Sequence, residues 1–212
     1  MNPITRYVEE VASDEWLDEP FDPKTADGWD RANCGDHGLL KHVLVHEAGH
    51  AVAAARLNID FLDVSVLPPG SRTPMGDGFL GGGLQLTSFG NGWAVDRIDD
   101  AYEMCLMGVV AERNILSHEL KGGFLQDIDR FKRAGNYLNG LPPADFQPLH
   151  QRVMSRIDAK WPQIERDIRA LIGAFAAQFT ASGAKVMSGL TEPLLLTAAA
   201  VHSILDIENP SS

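Results

Sequence analysis

The five residues His46-Glu47-Ala48-Gly49-His50 constrain this chain more than any other segment. They form an HExxH pattern inside a helix-like run from Leu39 to Leu57. On a helix, residues i and i+4 stand one above the other on the same face. His46 and His50 can therefore aim two imidazoles at one metal ion, with Glu47 rotated aside toward a water on that ion. Two neutral imidazoles and one carboxylate leave a fourth position open, which suits a catalytic Zn2+. The ion brings the water's pKa toward ~7, and the glutamate takes the proton as a polarised carbonyl is attacked. Ala48, Gly49, Ala51, Val52, Ala53, Ala54 and Ala55 are small, so the helix can pack closely against its neighbours. Gly49 costs about 1 kcal/mol of helix propensity against Ala, and its presence predicts close approach by another element. His42 lies one turn before His46, but three residues at i, i+4 and i+8 spread over ~12 Å of rise and cannot share one ion.

The chain has 212 residues, and 44% of them are hydrophobic, enough for a substantial core. A net charge of −11 argues against nucleic acid as a partner, since phosphate binding needs a basic face. The acid excess is concentrated in residues 1–30, which hold nine Asp/Glu against two Lys/Arg. MNPITRYVEE lacks the apolar core of a signal peptide. No uninterrupted apolar run approaches the ~18 residues of a membrane span; the longest, Pro193 to Val201, reads as a buried helix. Cys34 and Cys105 make no disulfide framework. These features predict a cytoplasmic protein with no membrane segment. No GxxxxGK[ST] loop occurs, so the sequence contains no P-loop ATPase.

Residues 1–36 are polar, acidic and broken by Pro20, Pro23 and Gly28, which predicts an N-terminal arm ahead of one domain, residues 37–212. Gly38 to Leu57 is the motif helix, with Asp36 as its N-cap. Phe61 to Leu67 alternates as a strand, residues 70–83 read as a glycine-rich loop, and Leu84 to Thr87 as a short second strand. Asp96 or Asp99 opens a helix to about Ser117, with Met104, Met107, Val110 and Ala111 on one side. Further helices are predicted over Gln126–Leu138, Ala144–Ile157, Trp161–Thr180 and Glu192–Ile207. The fold class is mainly α with a small β-sheet (α+β): the HExxH helix plus a C-terminal helical bundle.

The residues leave the third ligand open among Glu112, His118, Asp127 and Asp129. Asp129 points about 200° away from Asp127 on one helix, and His118 reads as exposed. The segments HEAGHA, DVSVLPPG, GGGLQL, MCLMGVVAERNILS and GGFLQDIDRFKRAGNYL together resemble the peptidase domain of the FtsH family of zinc metalloproteases (peptidase family M41). The resemblance runs from about residue 38 to the C-terminus and is most specific over 46–128. It implies that Asp127 is the third zinc ligand, placed at a helix start where the dipole favours a carboxylate. Glu112 matches the family's Ala-Glu glutamate, which implies a group that orients a zinc-bound imidazole; pairing with Arg56 or Arg113 is the alternative reading. Extended substrate is expected along Gly83-Leu84-Gln85-Leu86 in the edge-strand mode. The sequence departs from the family where Gly123-Phe124-Leu125-Gln126 replaces the threonine turn. It also shows neither the family's membrane helices nor its ATPase domain, so ATP-driven unfolding and a hexameric ring do not carry over. The expectation is a zinc-dependent endopeptidase for unstructured or specific peptide substrates, served where needed by a separate ATPase. The alternatives are a non-catalytic, zinc-stabilised peptide-binding module and a hydrolase of a non-peptide amide.

Overall fold

The motif helix, residues 42–56 (α1), is buried from His42 to Ala55 with no solvent-facing stripe. A helix buried on every side belongs at the centre of a fold, and α1 lies there with His42, His46, Glu47 and His50 buried among its small apolar residues. The structure is a computed structural model, and it describes residues 42–67, 72–73, 76–77, 82–87, 97–117, 127, 146–184 and 191–207. The acidic arm, Cys34, His118, Asp129, the N-cap Asp36 and most of the helix predicted over Gln126–Leu138 lie outside the described residues. The molecule is mainly helical with a small antiparallel sheet.

α1 ends where Asn58 turns left-handed, at φ 53°. Ile59 N–H reaches the Ala54 carbonyl and Asn58 N–H reaches that of Ala55, which closes the last turn. Arg97 then donates to the carbonyls of Leu57 and Asn58, a cation placed at the negative end of the helix. Arg97 also stands at the N-cap of the second helix, Ile98–Leu116 (α2), which has no side-chain cap. Asp96 and Asp99 are the sequence candidates for that cap. Asp99 instead lies with Asp100 inside the first turn, where their charge complements the helix dipole. From Ala101 to Glu112 every residue of α2 is buried.

Strand β1 is Phe61–Val66. Arg72–Thr73 (β2) and Gly76–Asp77 (β3) pair antiparallel, so the segment predicted as a loop holds a small ladder. Gly82–Leu86 is β4 and Leu194–Thr197 is β5, and the main sheet runs β4-β1-β5. A register shift between Phe61 and Asp63 lets both Phe61 and Val64 face the core. Ala198–Ile204 follows as a short helix, its N-cap Thr197 accepting from Ala200 N–H at 3.3 Å. The helix predicted over Glu192–Ile207 is therefore a strand and a helix. Leu194 and Leu196 are buried in alternation with exposed Leu195 and Thr197, and pairing with β1 outweighs leucine's helix preference.

The two helices predicted over Ala144–Ile157 and Trp161–Thr180 are one, Phe146–Ser182 (α3), with Pro162 inside. Proline removes a hydrogen bond and crowds the carbonyl four residues back, at about 3 kcal/mol. The helix continues because its buried stripe of Leu149, Val153, Ile157, Ile164, Ile168, Leu171 and Phe175 crosses Pro162 without losing phase. Seven such side chains, each contributing about 1.5–3 kcal/mol on burial, outweigh one proline.

Candidate metal centre

His46 and His50 face the same way from α1, as their spacing requires. Their Nε2 atoms are 2.9 Å apart, and each is 3.0 Å from Oδ2 of Asp127. The described part of the chain near Asp127 is that residue alone, in helical conformation and buried. These three side chains form a cluster able to hold one metal ion. Ligand atoms at tetrahedral angles around zinc, with bonds of about 2.0–2.1 Å, stand about 3.3–3.4 Å apart. The three atoms need only small outward shifts to reach that geometry.

The donor set supports the same fit. His50 Nδ1 lies 2.7 Å from the Met104 carbonyl, which can only accept, so Nδ1 carries a proton. His46 Nδ1 lies 2.5 Å from Oε1 of Glu112. Burial works to raise the Glu112 pKa, but hydrogen bonds from His42 and His46 lower it below its ordinary value, so this carboxylate also accepts. With both Nδ1 atoms donating, each ring leaves its Nε2 facing the other ring and a carboxylate oxygen, as the atom that takes up either a proton or a metal ion. Three such atoms within 3.0 Å of one another call for positive charge between them, which a proton or a metal ion supplies. The electrostatics agree. Burial opposes charge on Asp127, yet the imidazoles of His50 and His46 hold its carboxyl far below the ordinary range. Burial lowers the His46 pKa, but Asp127 and then Glu112 outweigh it and raise the imidazole well above its ordinary value. A centre that makes its acid stronger and its base stronger attracts positive charge.

Glu112 takes the orienting place that the resemblance implies. Its other oxygen accepts from His42 Nδ1 at 2.7 Å, so one carboxylate on α2 joins two imidazoles of α1. Arg56, the alternative partner for it, instead binds Asp167 of α3 at 2.8 Å.

Two glycines make this packing possible. A Cβ on Gly108 would lie 2.6 Å from His50 Nε2 and 2.7 Å from His46 Nε2. A Cβ on Gly49 would lie 2.5 Å from the Met107 carbonyl oxygen. The close approach predicted for Gly49 is thus made by α2. Sequence reasoning misses Gly108, although a glycine midway along a helical run is the same signal.

Glu47 is buried, and it meets the sheet at β4. A Cβ on Gly82 would lie 2.7 Å from Oε1 of Glu47 and 2.6 Å from its Cγ. The strand therefore passes directly against the carboxyl group that the motif supplies. β4 pairs with β1 on one side, and among the described residues no strand lies on its other side. Of the four residues predicted to meet substrate, Gly83 has nothing within 4 Å of a built Cβ, Gln85 is exposed, and Leu84 and Leu86 are half-buried against the core. Among the described residues no helix is long and apolar enough to cross a membrane.

No family model, no curated protein and no solved structure matches this chain.

Proposed function

We propose that the chain is a zinc-dependent endopeptidase of the FtsH-like kind, hydrolysing peptide bonds in unstructured or specific peptide substrates. The observation that carries this reading is the convergence of His46, His50 and Asp127 beside a glutamate that abuts an edge strand. Zinc, when bound, supplies Lewis-acid chemistry that polarises a carbonyl and acidifies water.

The chain's residues supply the rest. His46, His50 and Asp127 hold the ion, with Glu112 and the Met104 carbonyl fixing the two ring orientations. Glu47 takes the proton from the attacking water and passes it to the leaving amine. β4 offers main-chain hydrogen bonds along one edge, which align an extended peptide beside Glu47. An edge strand reads only extended chain, so a folded substrate must be unfolded before it is cut.

The test digests a random peptide pool, with and without chelator, using wild type and Glu47→Gln. Zinc should be present at about one per chain in both. Cleavage by wild type should stop with chelator, and Glu47→Gln should lose several orders of magnitude in rate while keeping its metal. Equal cleavage by Glu47→Gln removes Glu47 from the chemistry. A wild type that binds zinc but cuts no peptide removes the endopeptidase reading.

A further inference from the structure

We propose that His42 is a positioning residue of the metal centre: its Nδ1–H holds one oxygen of Glu112 so that the other stays aimed at Nδ1 of His46. The proposal rests on the reading of His46, His50 and Asp127 as metal ligands.

His42 and His46 occupy successive turns on one face of α1, and both rings reach across to α2. The distances are 2.7 Å from His42 Nδ1 to Oε2 and 2.5 Å from His46 Nδ1 to Oε1. All three side chains are buried, with Glu112 only 1% exposed. An ionised carboxylate can only accept, so both imidazoles donate. Hydrogen bonds to a charged acceptor are about twice as strong as neutral ones.

The outer torsion of a glutamate is broad and roughly two-fold, so one donor alone leaves the carboxylate plane loosely set. A second donor on the second oxygen, held by the same rigid helix as the first, fixes that plane. The consequence reaches the ligand: a fixed Oε1 holds the proton on Nδ1 of His46 and sets its ring angle, and so keeps Nε2 aimed at Asp127. His42 itself lies about 6 Å of helix rise before His46 and binds the Glu112 oxygen that His46 does not. It therefore acts through Glu112 and not on the metal or the substrate.

A helix clasp is the competing role, and the two roles separate by which nitrogen donates. Asparagine places an amide nitrogen where histidine has Nδ1, and glutamine places one nearer Nε2. The experiment compares wild type, His42→Asn, His42→Gln and His42→Phe as full chains stripped of metal. Zinc affinity is read by competition with a chromophoric chelator, ligand geometry by the visible spectrum of the Co2+-loaded protein, and folding by thermal unfolding in excess chelator. Positioning requires His42→Asn to stay within about threefold of wild type and His42→Gln and His42→Phe to lose at least ~10-fold in zinc affinity, with an altered Co2+ spectrum. Unchanged affinity in His42→Gln, or equal losses in His42→Asn and His42→Gln, overturns the proposal. The Asn–Gln pair decides the matter even where His42→Phe does not fold. A wild type that binds no zinc overturns the metal reading itself, which is a distinct result from wild-type binding that His42 does not influence.

Discussion

A hydrogen atom is all that Gly108 presents to the two imidazoles it faces. Any side chain there must displace the His50 ring, whose Nδ1 is held on the Met104 carbonyl, or push α2 away from α1. Gly108→Ala should therefore weaken zinc binding by at least about tenfold, the scale seen when a ligand's support is disturbed. Its stability in chelator should fall less than overpacking alone implies, because alanine recovers up to ~1 kcal/mol of helix propensity against an overpacking cost of about 1–3 kcal/mol. Chelator competition and urea unfolding measure the two effects separately. An alanine variant with wild-type zinc affinity would show that the helices separate freely at this point. At this scale the sequence is legible wherever chemistry follows a spacing rule. His46, Glu47 and His50 obey the helical repeat, and that repeat alone places them. Asp127 meets His46 and His50 across 81 and 77 residues, and no periodicity connects such positions. The residues alone leave four candidates, and a family resemblance chooses among them. The rise along the helix excludes His42 as a ligand, but its contact with Glu112 spans 70 residues and is invisible in the sequence for the same reason as Asp127.

Elements are legible where the pattern is long and poorly so where tertiary pairing overrides local preference. β1 and α2 fall within about one residue of their predicted bounds, because alternation and a long buried face are strong signals. The error at Leu194–Thr197 has a definite cause: four residues are too few for period 2 to compete with a leucine-alanine run, and the strand exists only because β1 offers it an edge. That strand also needs protection on its outer side. The Gln178 carboxamide of α3 supplies it, donating to the Leu195 carbonyl and accepting from Leu195 N–H, both at 2.8 Å. One edge of the sheet is thus closed by a side chain, while β4 lies at the other edge. The error at Pro162 is of the opposite kind, a local breaker overridden by a continuous apolar stripe. Pro162 is exposed within α3, so its replacement costs no core packing. Pro162→Ala restores a backbone donor and removes a ring that crowds the preceding turn. It should raise stability by about 1–3 kcal/mol, read from the urea midpoint at constant m-value. A destabilised Pro162→Ala would mean that the proline fixes a bend on which the packing of α3 depends.

The molecule is built outward from α1, and among the described residues its interior holds polar groups as well as apolar ones. His42, His46, Glu47, His50, Glu112 and Asp127 belong to the candidate metal centre, but Tyr102 and His150 form a second buried pair away from it, linking α2 to α3 with Oη and Nδ1 2.7 Å apart. Composition predicts a substantial core, but it gives no sign that a histidine sits inside it, and His150 follows Leu149 with no pattern that marks it as buried. Burial drives the His150 pKa down to about 4 from an ordinary 6.5. The sign follows from which state takes the proton. Above pH 6.5 the imidazole is neutral both folded and unfolded, and it contributes no pH dependence. As pH falls from 6.5 toward 4, the unfolded chain binds a proton that the folded chain refuses, so stability is lost across that window. A difference of about 2.5 units corresponds to roughly 3 kcal/mol when the window has been crossed. Other groups act over overlapping ranges: the Asp127 and Glu112 carboxylates raise the His46 pKa and so give an opposite slope, and burial raises the Glu103 carboxyl. The effect of His150 is therefore read as a difference between wild type and His150→Gln, in which those contributions cancel. Urea unfolding at pH 7, 6, 5 and 4.5 should show the variant less stable than wild type at neutral pH, where the Tyr102 hydrogen bond is disturbed. The gap should close by about 1–3 kcal/mol as the pH falls, since glutamine has no proton to refuse. A gap that stays constant across the series would mean that His150 charges freely in the folded protein, and the pair between α2 and α3 would then be a wet contact and not part of the core.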